Sequence, residues 1–291
     1  MRPRIVFLLI PLFLLSCASG RMIELGSQAS RAGMEVCNDA LDVYSTLSEQ
    51  REKDKFYQDR VEILLNRDPA NMTLPDTEAV DYSEQILLRK KAYKSLLNTY
   101  RVFNLLTDKE YGNKNEEALA ALQNSYNSIA GLPELPGEVS TRLPEVAGYL
   151  SETFQAKKIK KHNKALYALS EAYLELWKKD SEIWIDYLDQ VYDGYARRLN
   201  QVSSDKYNPE AIARNLDLPY SDDAVLLMMY RLELRKDIRD EKNEIIKEIE
   251  DVEKALTELT IVHSEISKDK PGITDIISTL DKIEAIVEKN N

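Results

Sequence analysis

Glycine and proline are scarce in this chain, at 9 and 10 of 291 residues, and they cluster between long periodic segments. No stretch alternates apolar and polar residues for long enough to mark a strand, which leaves helix as the regular element. Only two cysteines and two histidines are present. No zinc-ligand cluster, Gly-rich phosphate loop or nucleophile elbow can be traced among them. The longest N-terminal apolar stretch, residues 5–15, falls well short of the roughly 20 residues that a helix needs to cross a bilayer. Positive charge is also in deficit, with 39 basic against 50 acidic residues and a formal net charge of −11. An acidic chain of this kind repels nucleic-acid phosphates, so no nucleic-acid partner is expected. Aromatic residues are missing from one region altogether. All 16 Tyr, both Trp and all five Phe lie at or before Tyr230.

What is present is helical periodicity. Runs rich in Leu, Ala, Glu and Lys favour helix, and apolar residues recur in steps of four and three. A helix over 25–66 carries Val36, Ala40, Val43, Leu47, Tyr57, Val61 and Leu64, with Gln50 and Asp54 turning its stripe polar midway. A second, over 77–107, aligns Ile86, Tyr93, Leu96, Tyr100 and Phe103. Shorter helices are expected at 113–130 and 208–215, the latter opened by Asn208-Pro209. A helix resumes near Val139, and a long one reaches about Val202, its stripe running from Leu166 to Val202 with Asp180 as an interruption. The most regular pattern lies within 222–267. There Ile245, Ile249, Val252, Leu256, Leu259, His263 and Ile266 form an unbroken seam. "KDKPG" then turns the chain back through Ile273, Ile276, Leu280, Ile283 and Val287.

The fold class expected is all-α: an elongated bundle of long antiparallel helices ending in a coiled-coil-like α-hairpin. The aromatic-rich bundle is placed at 25–216 and the hairpin, continuous with it or projecting from it, at 217–291.

The N-terminus reads as an address. A basic start (Met1-Arg2-Pro3-Arg4), a short apolar run and small residues after it describe a secretory signal. Pro11 argues against a continuous buried helix there. Leu14-Leu15-Ser16-Cys17 resembles the lipobox of bacterial lipoproteins. That resemblance covers residues 1 to about 20 and carries no information about the body. It implies cleavage after Ser16, diacylglyceryl transfer to the Cys17 thiol and acylation, for instance by palmitate, of the new amine. Several acyl chains on one residue make a stable anchor. Ala18, rather than Asp, after the Cys implies the periplasmic face of the outer membrane where the cell has one. Residues 17–24 are then a lipidated cysteine and linker, the mature formal charge becomes −13 on loss of Arg2 and Arg4, and Cys37 is left as a lone thiol, better buried than reactive.

Within the body, three features invite a functional reading. His263 sits in the cleanest seam, yet the Glu-x-x-His pair of bundle metal sites is absent, with Thr260 and Ile159 at the required offsets before His263 and His162. A buried polar residue fixing helix register is therefore expected, with no metal and no cofactor. "AKKIKKHNK" (156–164) concentrates Lys157, Lys158, Lys160, Lys161 and Lys164 beside His162. It reads either as a solvated helix surface or as a docking patch for anionic headgroups, an acidic cell-wall polymer or an acidic partner. Trp177, Tyr187 and Tyr192 lie off the main stripe of their helix and imply a second packing face. With 50 carboxylates, some acid pair always looks catalytic, so acid pairs carry no weight. The expectation is a non-enzymatic envelope protein that tethers an envelope-protein or cell-wall partner. A small-molecule-binding bundle with a pocket among the Tyr and Trp of 82–195 is the alternative, and a hydrolase with fold-assembled carboxylates ranks last. The oligomeric state is not written in the sequence.

Overall fold

The computed structural model describes residues 6–66, 82–107, 158–202, 224–268 and 271–289, and within these the side chains of 21–55, 82–104, 163–196, 229, 232–268 and 271–289. The helices expected at 113–130 and 208–215 and the start of the one near Val139 lie outside the described residues. Five α-helices make up what is described: α1 (Val6–Asn66), α2 (Ser83–Thr107), α3 (Lys158–Val202), α4 (Ala224–Ser267) and α5 (Ile273–Val287). The chain is all-α. Among the described residues no helix is long and apolar enough to cross a membrane.

Helix α1 differs from expectation at its start. Helical backbone runs through Pro11 and through 18–24, where a break and a linker were read. From Arg21 onward the cause is local, because Met, Ile, Glu and Leu are compatible with helix and Leu25 and Ala29 are already buried. The expected stripes hold where side chains are described; those of Tyr57, Val61, Leu64, Leu199 and Val202 lie outside the described residues. Every seam residue of α4 from Ile245 to Ile266 is buried, as are the five named residues of α2. In α5, Ile276, Ile283 and Val287 are buried, while Ile273 and Leu280 are half-covered.

The chain packs into two compact units. Unit 1 comprises Met1–Asp42, Leu87–Lys179 and Glu250–Asn291. Its order follows from three cross-helix contacts. Ser27 Oγ of α1 donates to Asn104 Oδ1 of α2 at 3.0 Å, and Tyr93 of α2 meets Tyr173 of α3 with ring centroids 5.1 Å apart and nearly perpendicular. Asn163 of α3 bonds to the Ser267 hydroxyl of α4 at 2.9 Å. A second contact at another level of each pair (Gly33 with Tyr100, Tyr82 with Trp184, and Lys242 with Asp189 at 2.8 Å) shows that α1 and α2 run antiparallel, as do α2 and α3, and α3 and α4. The α4–α5 turn is tight: the Ile276 amide donates to the Gly272 carbonyl at 3.0 Å, and a side chain at Gly272 would meet the Asp275 carboxylate at 2.5 Å. From Val252 to Ile266 the seam of α4 supplies the inner face of unit 1, each fully buried Ile, Leu or Val contributing about 1.5–3 kcal/mol of burial.

Unit 2 comprises Val43–Ile86 and Asp180–Ile249. Its core is Tyr44, Leu47, Trp184, Leu188, Val191, Tyr195, Ile245 and Ile249. Trp184 lies edge-on to both Tyr44 and Tyr82, at 6.1 and 5.5 Å between centroids. Such perpendicular pairs place a ring's positive edge on a negative face and are worth about 0.5–1.5 kcal/mol each beyond burial.

Candidate functional site

The most organised polar cluster lies inside unit 1 and is centred on His263. The seam spacing puts this residue on the inner face of α4, where its side chain has no solvent exposure. Asn163, also fully buried, faces it from α3. The Asn163 amide nitrogen donates to the His263 carbonyl at 2.6 Å and to Ser267 Oγ at 2.9 Å. Ser267 in turn donates to the same carbonyl at 2.8 Å. With its nitrogen committed, Asn163 presents Oδ1 to His263 Nδ1 at 2.7 Å, so Nδ1 carries the proton. His263 Nε2 is then a pure acceptor, and the Tyr100 hydroxyl donates to it at 3.1 Å. Both ring nitrogens are engaged by neutral groups. Burial pushes the imidazole pKa down to about 3, so the ring is neutral at pH 7.

Tyr100 is positioned by an absence of bulk. A Cβ on Gly33 of α1 would lie 2.4 Å from the Tyr100 ring, closer than any real side chain approaches. Gly33 therefore lets the ring lie directly on the α1 backbone, while its other neighbour, the His263 ring, is near-parallel at 21° with centroids 5.6 Å apart. Burial pushes the Tyr100 phenol well up. Cys37, on the same helix as Gly33, is fully buried, and burial pushes its thiol up as well. The expectation that this thiol is sheltered holds. The cluster thus holds a histidine, a tyrosine and a thiol, each in its neutral form at pH 7, as a polar fastener inside an apolar core.

The aromatic residues off the main α3 stripe do form a second packing face. Trp177 is fully buried against Tyr93, with centroids 5.7 Å apart. Tyr192 is buried edge-on to Tyr195. Tyr187 is half-buried beside Tyr82 at 5.4 Å. Burial, aided by the Asp54 carboxylate, pushes its phenol up to about 12. These rings fill space against one another.

The interruptions of the stripes turn out to be the polar interior of unit 2. Asp180 is buried and accepts a hydrogen bond from the Tyr44 hydroxyl at 3.1 Å. Gln50 is buried too, and its side-chain amide donates to Glu241 at 2.8 Å while its backbone carbonyl accepts from Tyr195. Lys53 reaches the same Glu241 oxygen at 2.7 Å.

Of the expected interaction patch, Lys158, Lys160, Lys161 and Lys164 lie on α3, at its described beginning. Lys164 is exposed. Lys157 lies outside the described residues, and so does the His162 side chain. Cys17 and Ser16 fall within the α1 backbone range. The sequence reading missed Asn163, which sits inside the lysine run yet points to the core. Its spacing of three from Leu166 and seven from Ser170, both buried, is the signal that it belongs to the inner face. Between α1 and α5, Glu35 approaches Glu284 and Glu288, and burial together with these neighbours pushes its carboxyl up despite the opposing Arg31. Among the described residues no group of three or more His, Cys, Asp or Glu is arranged to hold a metal ion. No family model matches the sequence, and no curated protein or solved structure is significantly similar to it.

Proposed function

We propose that this chain is a lipid-anchored bacterial envelope protein that works by binding and tethering, without chemistry of its own. The observation that carries the reading is Leu14-Leu15-Ser16-Cys17, a lipobox-like sequence after a basic start and a short apolar run. In this reading Cys17 is the acylated first residue of the mature protein, held on the periplasmic face of the outer membrane in a two-membrane cell. The helical body then recruits an envelope protein or cell-wall component. The state of the reactive side chains in the described body supports a non-enzymatic role. Cys37 is sealed from solvent, whereas nucleophilic thiols are accessible and have lowered pKa values. His263 has both ring nitrogens engaged inside the core, and a general base has to reach a substrate proton.

The test is metabolic labelling with a palmitate analogue in the native host, followed by membrane fractionation. Wild-type chain is expected to carry label and to sediment with membranes, and Cys17→Ser to lose both. Undiminished labelling of Cys17→Ser would remove the basis of the proposal.

A further inference from the structure

Helix α4 carries a second periodic stripe, on the side turned away from its buried seam. Leu232, Lys236, Arg239 and Asn243 make up its first half, and Ile246, Glu250, Glu253 and Thr257 its second. They follow one another in steps of four and three, the spacing that keeps a line of residues on one side of a helix. None of them is buried: Ile246, Glu253 and Thr257 are half-covered and the rest are exposed. The stripe extends over roughly 38 Å of helix.

Its charges are sorted by sign. The first half holds two cations and the second two anions. Lys236 makes no ion pair with a described residue. Arg239 comes no nearer than 3.9 Å to Asp240, and both of those side chains are more than half exposed. Glu250 reaches Lys254 at 3.9 Å, again between side chains more than half exposed. At the acidic end Glu250, Glu253, Lys254, Thr257 and Glu258 line an open groove of about 280 Å³.

A copy of this stripe running the opposite way matches the original. About a two-fold axis between Glu244 and Ile245, Lys236 falls opposite the second copy's Glu253, and Arg239 opposite its Glu250. On one flank the exposed Asp240 falls opposite the exposed Lys247. Asn243 meets Ile246 beside the axis, and Leu232, 55 % exposed, meets Thr257 at either end. Two-fold symmetry makes every such pair occur twice, and nowhere in the stripe do like charges stand directly opposite. A purely basic partner would match only the acidic half, and a purely acidic one only the basic half. The reversed order of sign that matches both is supplied by the chain itself. It also has a repulsion to overcome, since two chains of formal net charge −11 hold each other off wherever their charges are unsorted.

We propose that α4 pairs antiparallel with α4 of a second copy of this chain through the stripe from Leu232 to Thr257. In the symmetric dimer Lys236 and Arg239 of each copy enter the acidic groove of the other. This goes beyond the tethering reading and does not depend on the anchor. Exposed ion pairs are individually weak and screened by salt, so the dimer forms and dissociates readily and responds to ionic strength.

The experiment reads the molar mass of the full-length chain by sedimentation equilibrium, in nonionic detergent with micelles in large excess over chains. Wild type is expected to exchange between monomer and dimer at micromolar concentration in low salt. It should be monomeric in about 1 M salt, where the Debye length is about 3 Å. The double variant Glu250→Lys, Glu253→Lys makes the stripe wholly basic, and Lys236→Glu, Arg239→Glu makes it wholly acidic. Each alone is expected to self-associate at least about a hundredfold more weakly than wild type. An equimolar mixture of the two should form a heterodimer at least as tight as the wild-type dimer, which also shows that both variants fold. All four reversals in one chain should restore the homodimer. A monomeric wild type overturns the proposal. So does a dimer that survives the double reversals, because its contact then lies elsewhere. Loss of the dimer in both variants with no heterodimer on mixing overturns it as well.

Discussion

The two units bury polar groups in contrasting ways. In unit 1, His263, Asn163, Tyr100 and Ser267 are neutral, and the bonds among them close on themselves. In unit 2, the buried Gln50 reaches out to Glu241, which also pairs with Lys53 at 51 % and 40 % side-chain exposure. Its own Oε1 is buried without a partner. A closed neutral network excludes water and fixes one packing arrangement. A network that leads from a buried amide to solvated charges is screened by salt and loses little when cut. Small steric or protonic changes are accordingly costly around His263 in unit 1 and tolerated around Gln50 and Glu241 in unit 2.

The sharpest way to break this contrast is at Gly33. Gly33→Ala would gain about 1 kcal/mol of helix propensity, but its Cβ has to displace the Tyr100 ring. Overpacking and the loss of the buried Tyr100–His263 bond together cost more, so a net destabilisation of roughly 3 kcal/mol is expected in urea unfolding. An unchanged or raised midpoint would show that the ring is free to move aside.

The second test is acid. His263 has its pKa lowered from 6.5 to about 3 by burial, so the unfolded chain binds this proton more readily than the folded one. Stability is therefore complete above about pH 7 and falls as pH drops from 6.5 toward 3, by roughly 2 kcal/mol between pH 7 and pH 5. His263→Phe should flatten this slope between pH 7 and pH 5, whatever it does to absolute stability. A slope that survives His263→Phe would assign the titration elsewhere.

The smallest effect belongs to unit 2. Glu241→Gln keeps an acceptor for the Gln50 amide and removes the charge that pairs with Lys53 and lies beside the Tyr192 phenol. A change below about 1 kcal/mol is expected, shrinking further in high salt. A loss approaching that of Gly33→Ala would erase the distinction between the units.

Much of the fold was legible in the sequence because helix periodicity is local. The seam from Ile245 to Ile266 needs only its own spacing to be read as an inner face, and all seven residues are buried. Gln50 and Asp180 were legible as interruptions and not as interior groups, since their partners Glu241 and Tyr44 lie 191 and 136 residues away in the chain. Asn163 was hidden among lysines, and its role depends on α4 lying alongside at His263, 100 residues on. Nothing local marks Gly33, because the Tyr100 ring that needs its lack of a side chain lies on another helix.

The sealed state of Cys37 has a practical side. It is fully buried, and its thiol is shifted away from ionisation, so the folded protein offers maleimides and spin labels almost no thiolate to attack. With Cys17 capped by acyl chains or replaced by Ser, the folded chain is a silent background. One cysteine introduced at an exposed position, such as Lys164 or Lys289, would then report alone, and the placement of the body against any surface or partner becomes measurable by distance from a single labelled atom.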